Sequence, residues 1–184
     1  MRFSRKLATV SFAVMLGLGA ASSFAQVVVG GSPMTASKDI IDNAVNSKDH
    51  TTLVAAIKAA GLVDTLKSAG PFTVFAPTNA AFAALPAGTV DSLLKPENKS
   101  TLSGILTYHV VPGKVDAAAL TKMIMDGKGS TTFQTMAGGM LTAKSVGGKV
   151  MITDEKGGSS TVTIADVYQS NGVIHVVDKV LLPK

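Results

Sequence analysis

The sequence predicts an α+β fold in which helices come first and a mostly antiparallel sheet comes last. Apolar residues recur at helical spacing from Ser37 to Met125. After Gly129 the chain changes to β-branched runs separated by Gly-Gly or Asn-Gly pairs, a pattern typical of strands joined by tight turns. Helices dominate the first part of the chain and strands the last part, so alternating βαβ units are disfavoured.

Residues 1–25 have the layout of a secretory signal peptide. Three basic residues are followed by an uncharged apolar run from 7 to 21, and Ser23-Phe24-Ala25 places small residues before a cut at Gln26. The alternative is an N-terminal membrane anchor, but the run is shorter than the roughly 20 apolar residues that a spanning helix needs. We therefore predict a cleaved leader and an exported protein, either secreted or periplasmic.

Composition excludes several functional classes. The chain has 184 residues, and its 17 Lys and Arg against 12 Asp and Glu give a net charge of +5. The leader holds three of the 17 cations, which leaves 14 against 12, and both arginines lie in it. A mature chain without Arg lacks the bidentate forks that read nucleic acid. The absence of Cys excludes a disulfide scaffold, a cysteine nucleophile, a cysteine metal site and a lipoprotein anchor.

The first half of the mature chain divides into short segments. Residues 26–36 are rich in Gly, Val, Ser and Pro and predict an extended, loose N-terminal segment. Helices are expected over 40–45, over 53–57 with a stop at Gly61, and over 62–66 with a stop at Gly70. A strand is then expected over 72–75, a turn over 77–79 and a short helix over 80–85.

The second half begins with three more helices and ends in strands. Thr89 can cap a helix over 90–94, Pro96 or Asn98 opens a helix that carries His109 on its apolar stripe, and Asp116 can cap 117–125. The five β-branched runs predict strands over 131–135, 141–145, 150–153, 161–167 and 173–182. No internal repeat or linker splits the mature chain, so residues 37–184 are expected to form one domain.

Three segments together resemble a known family. The first is Gly70–Leu85, with the sequence GPFTVFAPTNAAFAAL; the second is Tyr108-His109 followed by VVPG; the third is Ser170–Pro183, with the sequence SNGVIHVVDKVLLP. In this order and spacing they are similar to the two conserved blocks and the central Tyr-His motif of fasciclin (FAS1) domains. The resemblance covers about residues 37–184, which is one complete domain.

The resemblance implies both a fold and a type of function. The fold would be a FAS1-like β-sandwich or wedge of about seven mostly antiparallel strands, with N-terminal and inserted helices packed against it. The protein would be a secreted or surface-exposed interaction module for cell adhesion or matrix binding, and not an enzyme. Its partner would be a protein or polysaccharide at the cell surface or matrix, without nucleic acid, cofactor or metal, and the chain would not span a membrane.

Tyr108 and His109 are the candidate binding residues, although a structural role is the preferred interpretation of His109. A buried imidazole must find partners for its ring nitrogens, and we expect His109 to hydrogen-bond near Asn79, in the turn that also contains Thr78. The alternative function places a glycan or small-molecule pocket, with possible hydrolase activity, beside Tyr108 and His109. No Gly-x-Ser-x-Gly elbow supports hydrolysis.

The remaining polar candidates have structural interpretations. Asn171-Gly172 predicts a primed hairpin turn, and His175 is expected to be a satisfied or edge-facing strand residue. His50 is expected to be solvated at a helix start, and the Asp154-Glu155 pair is expected to be solvated turn charge. The methionines of the second half are expected to fill the core. They are Met123, Met125, Met136, Met140 and Met151.

Overall fold

An N-terminal β-hairpin opens the part of the chain that the computed structural model describes, residues 26–184. Strands β1 (Val27–Val29) and β2 (Ser32–Met34) pair antiparallel around Gly30 and Gly31. Both glycines have positive φ, +60° and +77°, as a primed two-residue turn requires. The segment 26–36, which we expected to be loose, therefore contains a hairpin. The predicted leader, residues 1–25, lies outside the described residues.

The helices that follow begin and end where local signals place them. Asp39 caps the first helix by accepting the backbone N–H of Asp42 at 2.8 Å, and the second helix ends at the left-handed Gly61. A 3₁₀ turn over Lys48–His50 precedes the second helix. These first three helices are α1 (Ile40–Ala44), α2 (Thr51–Ala60) and α3 (Val63–Lys67).

The middle of the chain alternates short strands with helices. Its elements are β3 (Phe72–Pro77), α4 (Asn79–Ala83), α5 (Thr89–Leu93), a 3₁₀ turn over Pro96–Asn98, α6 (Lys99–Tyr108), β4 (Val110–Pro112) and α7 (Ala117–Asp126). Asp116 caps α7 as predicted, because its carboxylate accepts the Ala119 N–H at 2.8 Å. The last five strands are β5 (Ser130–Gln134), β6 (Met140–Val146), β7 (Lys149–Thr153), β8 (Ser159–Gln169) and β9 (Gly172–Val177).

Seven of these strands form a single mixed sheet in the order β4-β3-β9-β8-β7-β6-β5. Neighbouring strands are antiparallel except β3 and β9, which run parallel from the pair Phe72 and Gly172 to the pair Pro77 and Val177. The predicted α+β class and seven strands are confirmed. The predicted sandwich and antiparallel arrangement fit only in part, because one continuous sheet with a parallel pair replaces two stacked sheets.

The sheet curls until its two ends approach each other. Strand β8 pairs with β7 through residues 159–161 and with β9 through residues 162–169, with register shifts on both sides of Ile164. Such shifts bend a strand and increase its twist. At the far ends, the Met136 N–H just beyond β5 donates to the Val110 carbonyl of β4 at 2.8 Å. The result approaches a closed barrel, with β8 as the bend.

Two hydrophobic clusters lie on opposite faces of β3 and β9. Val74 and Ile174 face the cluster built with α1, α2, α3 and α6, whereas Phe75 and Val177 face a second cluster built with α7 and β5–β7. Successive side chains of a strand point to opposite faces, so these two strands are buried on both sides. The polar residues that the chain places on β9 and at the end of α6 are therefore enclosed.

The expectation that the second-half methionines fill the core is wrong for most of them. Met123, Met125, Met136 and Met140 are each at least 40% exposed, and Met125 reaches 67%. On α7 the buried positions are instead Leu120 and Ile124, which face the sheet. Within residues 26–184, the structure contains no helix that combines the length and apolar character needed to cross a bilayer.

Candidate functional site

Tyr108, the last residue of α6, is enclosed and its hydroxyl is fully engaged. The side chain is 0% exposed, its hydroxyl donates to the Met140 carbonyl at 2.7 Å, and it accepts the Glu155 N–H at 3.1 Å. Burial raises the pKa of the phenol above its ordinary value. Gly139 leaves room for the ring, since a Cβ there would lie 2.7 Å from the Tyr108 ring. Tyr108 thus joins α6 to the start of β6 and to the turn between β7 and β8.

His109 follows at the C-cap of α6 and is 3% exposed. Its Nε2 accepts the backbone N–H of Leu181 at 2.9 Å, so Nδ1 carries the proton and donates to the Ile105 carbonyl at 2.8 Å. The predicted hydrogen bond from His109 to the Asn79 region is wrong. The partner is the C-terminal tail, 72 residues further along the chain.

Burial keeps the imidazole of His109 neutral. Its pKa falls from 6.5 to about 4 because the charged form would lose its hydration, an effect that the Ile105 carbonyl and the nearby Asp154 carboxylate only partly oppose. Protonation of Nε2 would also remove the acceptor that the Leu181 N–H uses. The neutral ring is therefore part of the folded structure.

Asp154 is a buried anchor that sequence reasoning missed. One carboxylate oxygen accepts the N–H groups of Lys156 at 3.0 Å and Gly158 at 2.7 Å, and the other accepts that of Leu182 at 3.0 Å. The expectation of solvated turn charge is wrong for this residue, which is only 8% exposed. The signal that could have revealed it is the Asp-x-x-x-Gly spacing, typical of a carboxylate that closes its own turn. Asp154 and His109 together hold the tail after β9.

Thr78 and Asn79 hold the start of two helices. The Thr78 hydroxyl accepts the Ala81 N–H at 3.3 Å as the N-cap of α4. The amide oxygen of Asn79 accepts the Thr52 N–H at 3.0 Å, and its nitrogen donates to the Lys48 carbonyl at 2.8 Å. These contacts fasten the first turn of α2 to the end of β3, at a place separate from His109.

Asn171 and Gly172 connect the sheet to the first helical layer. Asn171 accepts the Ile40 N–H at 3.1 Å and donates to the carbonyls of Leu66 at 2.7 Å and Ser68 at 3.0 Å. The expected primed turn is not formed: the loop residues are Ser170 and Asn171, and neither has a positive φ. Glycine is required at position 172 because β3 lies very close to it: a Cβ there would collide with the backbone of Phe72.

His175 and His50 are both buried, at 0% and 3% exposure. The His175 ring stacks on Phe75 with centroids 5.8 Å apart, and its Nε2 donates to the Val115 carbonyl at 2.8 Å. His50 bonds the Ser47 hydroxyl at 2.9 Å, so the expectation that it is solvated is wrong. Burial lowers the pKa of both histidines. Within residues 26–184, no cluster of three or more His, Asp or Glu side chains could hold a metal ion.

Polar side chains also line a groove of about 710 Å³, which is separate from the Tyr-His pair. It lies between the N-terminal hairpin, the loop before α7 and strand β8. We call it the Tyr168 groove, and sequence reasoning did not find it because its walls come from distant parts of the chain. Its lining includes Val27, Met34, Thr35, Lys114, Asp116, Asp166 and Tyr168.

Comparison with known proteins identifies the family. The fasciclin domain model matches residues 48–183. The chain belongs to the fasciclin domain family. Protein sll1483 of Synechocystis sp. is 51% identical over 156 residues, which cover 85% of this chain and 79% of that protein. The cell surface glycolipoprotein MPB83 of Mycobacterium bovis is 35% identical over 176 residues, covering 92% of this chain and 72% of that protein.

A solved structure shares the fasciclin fold. It is a FAS1 domain pair from the insect cell adhesion molecule fasciclin I, with a TM-score of 0.69 and 20% identity. The alignment covers 79% of this chain and 51% of the insect chain, so this fasciclin domain spans about half of that domain pair. The Tyr-His motif and the two blocks quoted from the sequence all lie inside the residues that match the family model.

Proposed function

We propose that this fasciclin domain is an exported interaction module of the adhesion type, which binds a protein or polysaccharide at the cell surface or in the matrix. The observation that carries the proposal is its similarity to MPB83, described as a cell surface glycolipoprotein, over 92% of the chain. The fold shared with an insect cell adhesion molecule points in the same direction. Export would follow from the predicted leader 1–25, leaving the segment 26–36 and the domain 37–184.

The burial of the Tyr-His pair argues against catalysis by either residue. A general acid, base or nucleophile must lie within hydrogen-bond reach of its substrate. Tyr108 and His109 are 0% and 3% exposed, and their polar atoms already bond to Met140, Glu155, Ile105 and Leu181. We infer that both residues are structural, and the alternative of a hydrolase centred on them loses its site.

Export is tested by fractionation. The full chain with a C-terminal tag is expressed in its own organism, and cytoplasmic, envelope and medium fractions are analysed by intact mass. The expected species begins at Gln26 and is found outside the cytoplasm. An unprocessed chain confined to the cytoplasm would contradict the proposal.

Adhesion is tested with the processed chain. Beads coated with it are expected to attach to cells of the same organism more than beads coated with albumin or with the heat-unfolded chain. Attachment equal to both controls would overturn the proposed function.

A further inference from the structure

The Tyr168 groove has the dimensions of a ligand site. Its volume of about 710 Å³ falls within the range of roughly 300–1,000 Å³ that small-molecule sites occupy. The partly exposed Val27 of the hairpin, with the buried Met34 and Val167 behind it, gives it an apolar wall. Three separate parts of the chain build it, so its shape depends on the complete fold.

Tyr168 brings donors and acceptors together at this wall. Its hydroxyl lies 3.4 Å from the Asp116 carboxylate, longer than the usual 2.5–3.0 Å of an O–H···O bond. Both groups can therefore exchange this weak contact for a ligand hydroxyl. The Lys114 ammonium lies 4.8 Å from the centroid of the Tyr168 ring. A cation–π contact of this kind holds the ring while leaving N–H donors at the groove.

Asp166 is held at the groove by an unusual backbone. It has a φ of +58° where β8 shifts register, a conformation that non-glycine residues seldom adopt. One carboxylate oxygen accepts the Ala117 N–H at 2.6 Å. Strain of this kind persists where the surrounding structure fixes it and often marks a functional position. The bulge thus aims a second carboxylate at the same place as Asp116.

A groove residue also carries a buried hydroxyl without a partner. The Thr35 hydroxyl is buried and bonds to no other group among residues 26–184. A buried polar group without a hydrogen bond costs about 1–3 kcal/mol. The hydroxyl has no accessible surface, so Thr35 contributes to the wall of the groove and is not counted among the groups that a ligand can bond.

We propose that the Tyr168 groove binds a neutral saccharide, an inference that rests on the proposed function and names the ligand class and its site. Saccharide hydroxyls both donate and accept, so they match a groove whose lining offers the Lys114 donor beside the Asp116 and Asp166 acceptors. An anionic ligand would be repelled by the Asp116 and Asp166 carboxylates. A cationic ligand would be repelled by the Lys114 ammonium, which lies over the Tyr168 ring. The C–H faces of a sugar match the apolar wall.

The test titrates the processed, ¹⁵N-labelled chain with neutral tetrasaccharides of glucose, mannose, xylose and N-acetylglucosamine. At least one of them is expected to shift the amide signals of Val27, Thr35, Asp166 and Tyr168. Tyr168→Phe, which keeps the ring and removes the hydroxyl, is expected to raise Kd at least threefold, and Tyr168→Ala at least tenfold. Lys144→Gln, an exposed β6 position outside the groove, is the matched control and is expected to leave Kd unchanged.

Two results would overturn the saccharide site. They are no shift in the groove with any of the four sugars, whether or not an arginine-containing tetrapeptide binds there, and an unchanged Kd in Tyr168→Phe. Bead attachment separates this inference from the proposed function. If the wild-type chain attaches and binds no sugar, the groove assignment fails alone. If it attaches to nothing, the adhesion role fails, while the titration still tests the groove.

Discussion

The imidazole of His109 accepts the backbone N–H of Leu181 at 2.9 Å, which joins the end of α6 to the C-terminal tail. The Leu182 N–H donates to Asp154 in the adjacent bond, at 3.0 Å. The tail after Val177 is not a strand. Its backbone N–H groups at Leu181 and Leu182 bond to side chains instead of to a neighbouring strand. The predicted strand over 173–182 is thus shortened, and these contacts explain how the remaining residues stay in place.

His109→Ala is expected to lower the free energy of unfolding by about 3 kcal/mol. The substitution removes a buried ring and leaves the Leu181 N–H without an acceptor, two effects that each cost on the order of 1–3 kcal/mol. Urea denaturation measures the loss, and hydrogen exchange of the Leu181 amide reports on the tail. Lys122→Ala, on the exposed face of α7, is the control and is expected to change stability by less than about 0.5 kcal/mol. Unchanged protection of the Leu181 amide in His109→Ala would contradict the role assigned to the ring.

Stability is expected to fall as the pH drops from about 6.5 toward 4. The pKa of His109 is about 4 in the folded state and 6.5 as its unperturbed value, so the unfolded chain binds the proton more readily between them. One pKa unit corresponds to 1.36 kcal/mol, so proton binding at His109 is expected to lower the free energy of unfolding by about 3 kcal/mol when the pH reaches 4. His50 and His175 act in the same direction, because burial lowers their pKa as well.

The pH effect is measured by urea unfolding at pH 7, 6, 5 and 4. Wild type is compared with His109→Gln, which cannot titrate in this range. The variant is expected to lose less stability over the series than wild type, although it starts from a lower value. Parallel curves for the two proteins would show that His109 does not take up a proton on unfolding.

Gly172→Ala is expected to destabilise the domain by more than about 2 kcal/mol, because the new Cβ would press on the backbone of Phe72 in β3. Gly104→Ala is a matched control within α6, where a Cβ meets nothing within 4 Å. That variant is expected to be more stable by roughly 0.5–1 kcal/mol, the usual gain from replacing a helical glycine. Thermal unfolding and soluble yield compare the two. A Gly172→Ala protein as stable as wild type would mean that β3 and β9 can separate without cost.

Asn171→Ala is expected to cost about 2–3 kcal/mol, since it deletes one accepted and two donated hydrogen bonds to the helical layer. Asn171→Asp retains the acceptor for the Ile40 N–H but removes both donors, and is expected to fall between wild type and alanine. The control is Asn98, whose side-chain amide donates to the Ser92 carbonyl at an exposed position before α6. Asn98→Ala is expected to cost less than about 1 kcal/mol. Chemical denaturation of the three variants provides the ranking, and equal losses at positions 171 and 98 would contradict it.

Local rules account for the features that the sequence predicts well. Asp116 and Gly61 delimit helices through their own neighbours, and the β-branched runs after Gly129 each form a strand. The hairpin around Gly30 and Gly31 was also within reach, because two glycines between apolar residues are a standard primed-turn signal. These structures depend on contacts a few residues apart.

Long-range contacts account for the features that the sequence does not reveal. The parallel pairing of β3 with β9, the tail bonded to His109 and the burial of Asp154 each join segments that local periodicity cannot relate. The Tyr168 groove is of the same kind, with walls from the hairpin, the α7 loop and β8. Family resemblance supplied the seven-stranded domain, but the roles of individual polar residues required their partners.

The parallel pair of β3 and β9 also has a consequence for how the domain is made. Strand β9 lies between β3 and β8 and is the last strand of the chain. Synthesis begins at the N-terminus, so the sheet cannot be completed until β9 has left the ribosome. Topologies with such non-local strand pairs fold slowly. The seven-stranded sheet is therefore completed only after residues 172–177 have been synthesised, and until then β3 and β8 lack the strand that they share as a neighbour.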